Sequence, residues 1–198
     1  MGTLNRLVGL LGLFTLFLAW AMPAPASPRA LAVAGVPLTD QVSVAGQKLL
    51  LNGAGLRRIL FLKVYVAALY LPERRHEPRA ILDRDIPRSL RVTLLRDLST
   101  DQNIEALKGG LVANNNAAEM EAIQAELAQF LGYLKGVHEV TAGTVIHLDY
   151  VPGEGTRVGV NGRPLGSVPG RAFNRALLRI WLGEDPIQAS LKDALLGG

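Results

Sequence analysis

The sequence predicts an α+β domain in which a sheet of antiparallel strands carries a layer of helices on one face. Two observations lead to this prediction. Strand-like segments follow one another in runs separated by short turn motifs, and helix-like segments come in pairs. The regular β-α-β alternation that is typical of a parallel sheet is missing, so an antiparallel sheet with segregated helices is favoured.

The first run of strands surrounds a glycine-containing motif. Residues 42–51 predict a β-hairpin with its turn at Ala45-Gly46-Gln47. The motif Asn-Gly-Ala-Gly at residues 52–55 predicts a break in the strand, where the backbone needs positive φ or a close neighbour. Residues 60–71 are apolar at both odd and even positions, which predicts a central strand covered on both faces.

The remaining elements are helices and strands that mostly follow one another in groups of the same kind. Ser99 and Gln102 have the spacing of a capping box, which predicts the start of a helix that runs to about Val112. Asn161-Gly162 is a strong signal for a type I′ hairpin turn. The full set comprises helices at 79–85, 99–112, 117–134, 171–182 and 187–196, and strands at 89–95, 144–151, 156–160 and 164–168.

The amino terminus has the features of a secretory signal peptide. Arg6 is the only charged residue among the first 26, an uncharged Leu-rich run follows, and Ala24-Pro25-Ala26 forms an A-x-A cleavage pattern. We therefore expect residues 1–26 to be removed before Ser27, which places the mature protein in the periplasm or outside the cell. A retained anchor is the alternative, but residues 7–22 fall short of the roughly 20 that a spanning helix needs.

This division leaves residues 27–40 as a leader into a domain of residues 41–198, with no stable membrane span after processing. Without Arg6 the chain has 20 Lys and Arg against 17 Asp and Glu. This excess is too small and too scattered to indicate nucleic-acid binding. Cysteine is absent, which excludes a cysteine nucleophile, thiolate metal sites and covalent haem attachment.

Arg57, Lys63 and Tyr65 form the best candidate site. They introduce polar groups into an apolar segment and share odd parity, so a regular strand would place them on one face. A bulge between Arg57 and Lys63 would break this grouping. Together they would form the cationic, hydroxyl-bearing end of an apolar pocket for a carboxylate. In the structural alternative, Arg57 caps a turn, the Lys63 stem lies along the surface and Tyr65 is a core residue.

Two other groups of polar residues have weaker patterns. His147 and Asp149 share one face of a strand and could begin a metal site, but no third ligand is near them in the sequence. A solvated outer face is the favoured interpretation, and we predict no metal site. Arg171, Arg175 and Arg179 recur at helical spacing and predict a solvated helix face.

The sequence resembles the chalcone isomerase superfamily. The resemblance rests on Leu-Asn-Gly-Ala-Gly-Leu-Arg at residues 51–57 and Lys-Val-Tyr-Val-Ala-Ala-Leu-Tyr-Leu at residues 63–71. It continues through the helix after Leu98-Ser99 and through residues 173–186, and it is greatest to the bacterial, exported chalcone isomerase-like branch. The resemblance implies an open-faced β-sandwich, a large antiparallel sheet with helices on one face and a ligand cleft between the two layers.

The resemblance also implies which catalytic residues are kept. The arginine of the plant isomerases corresponds to Arg57, and their threonine on the next strand corresponds to Tyr65. Four further positions, which hold tyrosine, lysine, asparagine and threonine in the plant enzymes, hold other residues here: Asn103, Ala106, Gly110 and Ile180. We therefore expect no catalytic residue and a protein that is not an enzyme.

Non-catalytic relatives that bind fatty acids are similar in pairing this arginine with a tyrosine on the following strand. The resemblance thus implies binding of a small lipophilic carboxylate, such as a fatty acid, by Arg57 and Tyr65 with Lys63 in support. Haem bound in the same cleft is one alternative, and an isomerase acting on a chalcone-like enone is another. A third is a partner-binding role in the cell envelope with an empty cleft.

Overall fold

A computed structural model describes residues 31–137 and 140–198. The predicted signal peptide and the first residues of the predicted leader, up to residue 30, lie outside the described residues. The strands are β1 Leu31–Val33, β2 Val36–Leu38, β3 Gln41–Val44, β4 Gln47–Ile59, β5 Leu62–Leu71, β6 Arg88–Leu94, β7 Val145–Val151, β8 Gly155–Val160 and β9 Arg163–Val168. The helices are α1 Pro78–Leu82, α2 Thr100–Asn114, α3 Ala117–Ala122, α4 Gln124–Lys135, α5 Arg171–Leu182 and α6 Ala189–Leu195.

Seven strands, β3 to β9, form one antiparallel sheet in which neighbours in sequence are neighbours in space. Helices α2, α3 and α4 are inserted between β6 and β7, and α5 and α6 follow the last strand. The helices cover one face of the curled sheet, so the predicted open-faced architecture is confirmed. In the described part of the chain, no helix combines the length and the apolar character needed to cross a bilayer.

Strand β5 lies in the middle of the hydrophobic core, as predicted from its apolar residues at both parities. On the helix side, Ala67, Leu69 and Leu71 belong to the main core with α5. On the opposite side, Ala68 and Tyr70 belong to a smaller cluster with β3 and β4. Both faces of β5 are therefore buried, which explains why polar and apolar residues do not alternate along this strand.

The segment predicted as a leader contains regular structure. Strands β1 and β2 pair in an antiparallel hairpin around Ala34-Gly35. Leu38, at the end of this hairpin, packs against the smaller core cluster. The amino-terminal part of the described chain thus covers a portion of the outer face of the sheet.

The predicted strand break at residues 52–55 is wrong. Strand β4 continues through the motif, with one register shift between Leu51 and Gly53. Of the two alternatives for the glycines, close approach is the correct one. A Cβ atom on Gly53 would lie 2.1 Å from the Ala194 carbonyl oxygen, and one on Gly55 would lie 2.7 Å from the Ala194 Cβ. Helix α6 therefore lies directly on the backbone of β4, and the glycines make room for it.

Two details of the helices differ from prediction. Ser99 precedes α2 but makes no capping hydrogen bond, and the capping box is formed instead by Asn116 and Glu119, with distances of 2.9 and 3.0 Å. The long helix predicted for residues 117–134 is two helices, because Ile123 leaves the helical conformation and its side chain is buried. Burial of this apolar side chain is a tertiary effect that helical periodicity does not reveal.

Two of the three arginines of α5, Arg175 and Arg179, are half-buried and ion-paired, so the prediction of a solvated face is wrong for them, whereas Arg171 is exposed. Arg175 lies 3.1 Å from the Asp83 carboxylate, and Arg179 lies 2.9 Å from the Glu119 carboxylate. The backbone N–H of Asn116 donates to Glu119 and, together with Arg179, holds the pKa of this carboxyl below its usual range. These pairs connect α5 to the end of α1 and to α3.

The close contact between α6 and β4 makes a testable prediction about stability. Gly53→Ala places a methyl group against backbone atoms that cannot rotate away, and we expect it to lower the free energy of unfolding by at least about 2 kcal/mol. Gly109→Ala is the matched control, because no atom lies within 4 Å of the position that its methyl group would take. This variant should raise the free energy of unfolding by up to about 1 kcal/mol, because alanine favours the helical conformation of α2. Urea denaturation of both variants measures the difference, and equal stabilities would contradict the close approach.

Candidate functional site

An apolar cavity of about 130 Å³ lies between the inner face of the sheet and the helices. The sheet contributes side chains from β5 to β8, among them Val92, Ile146 and Leu148. Helices α2, α4 and α5 form the opposite wall, with Phe130 and Ile180 among their contributions. These residues are inner-face positions of strands and core-facing positions of helices, so the same hydrophobic pattern that builds the core also builds the cavity.

The principal polar group in the wall is Tyr65, which is held by Trp181. The indole Nε1 of Trp181 donates a hydrogen bond of 3.0 Å to the Tyr65 hydroxyl oxygen. The hydroxyl proton of Tyr65 has no acceptor among the described residues, so it is available to a ligand. Burial raises the pKa of Tyr65 to about 12, although Trp181 and the charge of Arg57 act in the opposite direction. Tyr65 is therefore a neutral hydrogen-bond donor at physiological pH.

Arg57 lies beside the cavity and does not form part of its wall. It is the cross-strand partner of Tyr65, so both side chains start from the same face of the sheet. Its Nη1 donates to the Arg58 carbonyl oxygen at 2.6 Å and to Gln188 Oε1 at 3.2 Å. The Nε and Nη2 groups make no hydrogen bond to another described residue, which leaves donors for an anion. Gln188 follows Ile187, which does line the cavity.

Lys63 is not grouped with the other two residues. The register of β4 and β5 shifts after the Arg57–Tyr65 pair, so that Arg58 is opposite Lys63. The shift breaks the parity on which the grouping of three residues was based. Lys63 is exposed and does not line the cavity. The structure thus brings Arg57 and Tyr65 together and places Lys63 near the end of the hairpin.

The four positions that the sequence resemblance assigns to replaced catalytic residues lie around this cavity. Asn103, Ala106 and Ile180 line it. Gly110 lies behind Ile180, because a Cβ atom on this glycine would be 2.9 Å from Ile180 Cγ2. The small and the large residue therefore pack against each other, and apolar contact occupies the place of a polar network.

Sequence reasoning does not identify four polar residues as part of the cavity wall: Thr100, Asn103, Thr144 and Trp181. The sequence singles out Asn103 only as the replacement of a catalytic residue. Its side chain nevertheless lines the cavity and makes no hydrogen bond to another described residue. Trp181 is absent from the predicted site. A buried tryptophan requires an acceptor for its N–H, and this requirement is the signal that could have found it.

His147 lies on the other side of the sheet, in a second cleft of about 240 Å³. Arg91 lines the same cleft, with its guanidinium carbon 5.6 Å from the centre of the Tyr70 ring. Burial, and then the charge of Arg91, lower the pKa of His147. His147 and Asp149 are half-buried, so the prediction of a solvated outer face is wrong. The described residues contain no group of three potential metal ligands.

The described wall of the cavity offers no good axial ligand for haem. Among the described residues that line it there is no histidine or methionine to act as an axial ligand. Tyr65 is the remaining candidate ligand, but it is a neutral phenol whose oxygen already accepts the Trp181 hydrogen bond. The described donor set therefore suits an organic polar group. His138, which follows the lining residue Val137, lies outside the described residues.

Comparison with known proteins identifies the family. A family model described as chalcone isomerase-like matches residues 30–197. The chain belongs to the chalcone isomerase-like family. The match extends from residue 30, ahead of the hairpin of β1 and β2, to residue 197. No curated protein matches the chain by sequence.

A solved structure is similar to the chalcone isomerase-like domain described above. It is the crystal structure of a fatty-acid binding protein from Arabidopsis thaliana, with 17% sequence identity and a TM-score of 0.65. The similarity covers 82% of this chain and 92% of the plant protein. At this level of identity, the comparison establishes the common fold.

The raised pKa of Tyr65 predicts how stability changes in alkaline solution. An unfolded tyrosine has a pKa of about 10, so the contribution of neutral Tyr65 is fully present below pH 10 and is lost as the pH rises through about 12. We expect the free energy of unfolding to fall over this interval. Tyr65→Phe should make the decrease less steep, as measured by urea denaturation at a series of pH values.

Tyr150 provides an internal comparison, because burial also raises its pKa to about 12. The single variants Tyr65→Phe and Tyr150→Phe should each retain part of the pH dependence, and the double variant should retain least. A pH dependence that is identical in the wild type and in Tyr65→Phe would show that Tyr65 is not shielded from water.

Proposed function

We propose that this protein is an exported binding protein for a lipophilic carboxylate such as a fatty acid. One observation carries the proposal: an apolar cavity has unpaired donors from Tyr65 and Asn103 in its wall, among the described residues, and a cation, Arg57, beside it. The plant protein of similar fold is a fatty-acid binding protein, which supports the ligand class.

The chemistry of the cavity matches that of the ligand. Each methylene group transferred from water to an apolar wall contributes about 0.8 kcal/mol, so the acyl chain supplies most of the affinity. The carboxylate would accept a hydrogen bond from Tyr65 and pair with the free donors of Arg57, which determines the orientation. Because Arg57 lies beside the wall, its guanidinium or the carboxylate must move a short distance when the pair forms.

The volume of the cavity limits the ligand. An engineered cavity of about 150 Å³ in another protein binds benzene. A cavity of about 130 Å³ is therefore too small to enclose a long acyl chain. Leu98 and Val137 line the cavity from loops and are only half-buried. We propose that the remainder of a longer chain extends out of the cavity past these two side chains.

The same wall argues against catalysis. Cyclisation of a chalcone requires polar groups that stabilise the developing enolate. Ile180 and Ala106 provide apolar surface at two of the corresponding positions, and Gly110 provides no side chain. Binding without turnover is therefore the function that we propose for this member of the family.

The orientation of the ligand can be measured with one tryptophan. The chain has two tryptophans, Trp20 and Trp181, so a protein processed before Ser27 retains Trp181 alone. Fatty acids brominated near the carboxyl end should quench its fluorescence more strongly than those brominated near the methyl end, because Trp181 is bonded to Tyr65. No quenching by any fatty acid would overturn the ligand class.

Substitution of Arg57 tests the proposed anchor. We expect Arg57→Ala to weaken binding by roughly 10-fold or more and to reduce the preference for one bromine position, because a charged hydrogen bond is lost. Lys63→Ala is the matched control, since Lys63 is a nearby exposed cation outside the cavity wall, and it should bind like the wild type. Full affinity in Arg57→Ala would show that this residue is not the anchor.

Export is tested by the amino terminus of the protein made in its own host. We expect intact mass spectrometry to show a chain that begins at Ser27, recovered from the periplasm or the medium. Ala26→Lys should block cleavage, because the signal peptidase requires a small residue at this position. A full-length chain that remains with the membranes in the wild type would indicate a retained anchor.

A further inference from the structure

The turn between β4 and β5 exposes an unusual amount of apolar surface. Four consecutive residues form this hairpin tip: Ile59, Leu60, Phe61 and Leu62, with exposed fractions of 52%, 87%, 85% and 43%. Other large apolar residues that are exposed in the described chain, such as Leu31 and Val112, are isolated from one another in sequence. Isolated apolar residues are normal on a protein surface, but a contiguous group indicates an interaction site.

The residues of the hairpin tip are not explained by turn formation. Three other hairpins of the chain have two-residue turns with glycine in second place: Ala34-Gly35, Ala45-Gly46 and Asn161-Gly162. The turn at the tip has Leu60 at φ 54° followed by Phe61. A leucine in the left-handed region is sterically unfavourable, and the chain uses better turn residues elsewhere. The turn thus departs from the usual preference for glycine or asparagine, and it exposes two apolar side chains to solvent. Such a departure is typical of a functional site.

Positive charge surrounds the hairpin tip. Arg58 and Lys63 face each other one step behind it, both exposed, and Arg57 follows. No Asp or Glu occurs from residue 49 to residue 72. Within the described part of the chain, neither Arg58 nor Lys63 makes an ion pair. The apolar tip and the cations behind it match the layers of an anionic bilayer. The acyl chains would accept the apolar side chains, and the anionic headgroups would attract the cations.

We infer that the hairpin tip docks this protein on an anionic lipid bilayer. Leu60 and Phe61 enter the boundary between headgroups and acyl chains, while Arg58 and Lys63 contact the headgroup phosphates. Ile59 lies two residues from Arg57 along β4, so the Arg57–Tyr65 pair would be about 7 Å behind the tip. Docking would thus bring the polar end of the cavity close to the membrane. The use of docking for ligand exchange rests on the proposed function, whereas docking itself does not.

Vesicle flotation of the processed protein tests the inference. The wild type should float with vesicles of phosphatidylcholine and phosphatidylglycerol, bind poorly to phosphatidylcholine alone, and be released in part by high salt. In the double variant Leu60→Asn/Phe61→Gly, the partition coefficient should fall roughly 100-fold or more, because the two side chains that enter the membrane are removed. Its fold is protected, because Asn-Gly is the turn already used at residues 161–162.

Two further variants separate apolar from charged contributions. Val112→Asn removes an apolar side chain of 66% exposure from α2 and should float like the wild type. Arg58→Glu/Lys63→Glu should abolish the preference for phosphatidylglycerol. Thermal denaturation of each variant shows that a loss of flotation does not reflect unfolding.

Three results would overturn the inference. The first is equal flotation of the wild type and the Leu60→Asn/Phe61→Gly variant. The second is wild-type binding to neutral vesicles that is as strong as binding to anionic vesicles and insensitive to salt. The third is absence of flotation together with tip-dependent dimerisation in sedimentation experiments, which would make a second copy of the chain the partner.

The failure of docking is distinguishable from the failure of the proposed function. Quenching of Trp181 by brominated fatty acids in vesicle-free buffer reports the cavity alone, and the Leu60→Asn/Phe61→Gly variant should match the wild type in this assay. Transfer of the fatty acid from anionic vesicles should then be slower for the variant. Flotation without any quenching would overturn the ligand proposal only, and quenching without flotation would overturn docking only.

Discussion

The close contact between helix α6 and strand β4 is the constraint on which the candidate site depends. Gly53 and Gly55 allow the helix to lie on the strand backbone, and this contact holds the connection before α6 at the edge of the sheet. From there, Gln188 accepts hydrogen bonds from Arg57 and from the Arg58 amide. The glycines that characterise the motif thus act indirectly on the arginine that follows them. They determine where the helix lies, and the helix determines where the guanidinium is held.

The cavity has donors of different strength in different places. Tyr65 is inside the wall, neutral up to high pH because it is buried, and oriented by Trp181. Arg57 carries a full charge but remains beside the wall, where part of its donor capacity faces other protein groups. A charge fully inside an apolar cavity would cost far more to desolvate. The arrangement keeps the empty cavity apolar and still offers a cation to a ligand that brings its own negative charge.

The β4–β5 hairpin combines the elements of the proposed activity in one short segment. Its middle provides the Arg57–Tyr65 pair, its end provides Arg58 and Lys63, and its turn provides Leu60 and Phe61. The sequence pattern predicts Lys63 as a supporting residue of the ligand site. The register shift places it at the hairpin end instead, where its charge lies next to exposed apolar groups, and a membrane-facing role accounts better for that position.

The sequence by itself determined the fold class and the central strand, because both depend on local patterns. The apolar run of β5 and the Asn161-Gly162 turn needed no knowledge of distant residues, and the structure confirms them. The tertiary structure decided what depends on contacts between distant positions. Arg57 and Gln188 are 131 residues apart in sequence, and Gly110 meets Ile180 across the interface of two helices. The register shift that separates Lys63 from Tyr65, and the ion pairs of Arg175 and Arg179, are also results of packing. Periodicity identifies which side chains share a face, but it does not contain the distances between elements that determine which of them meet.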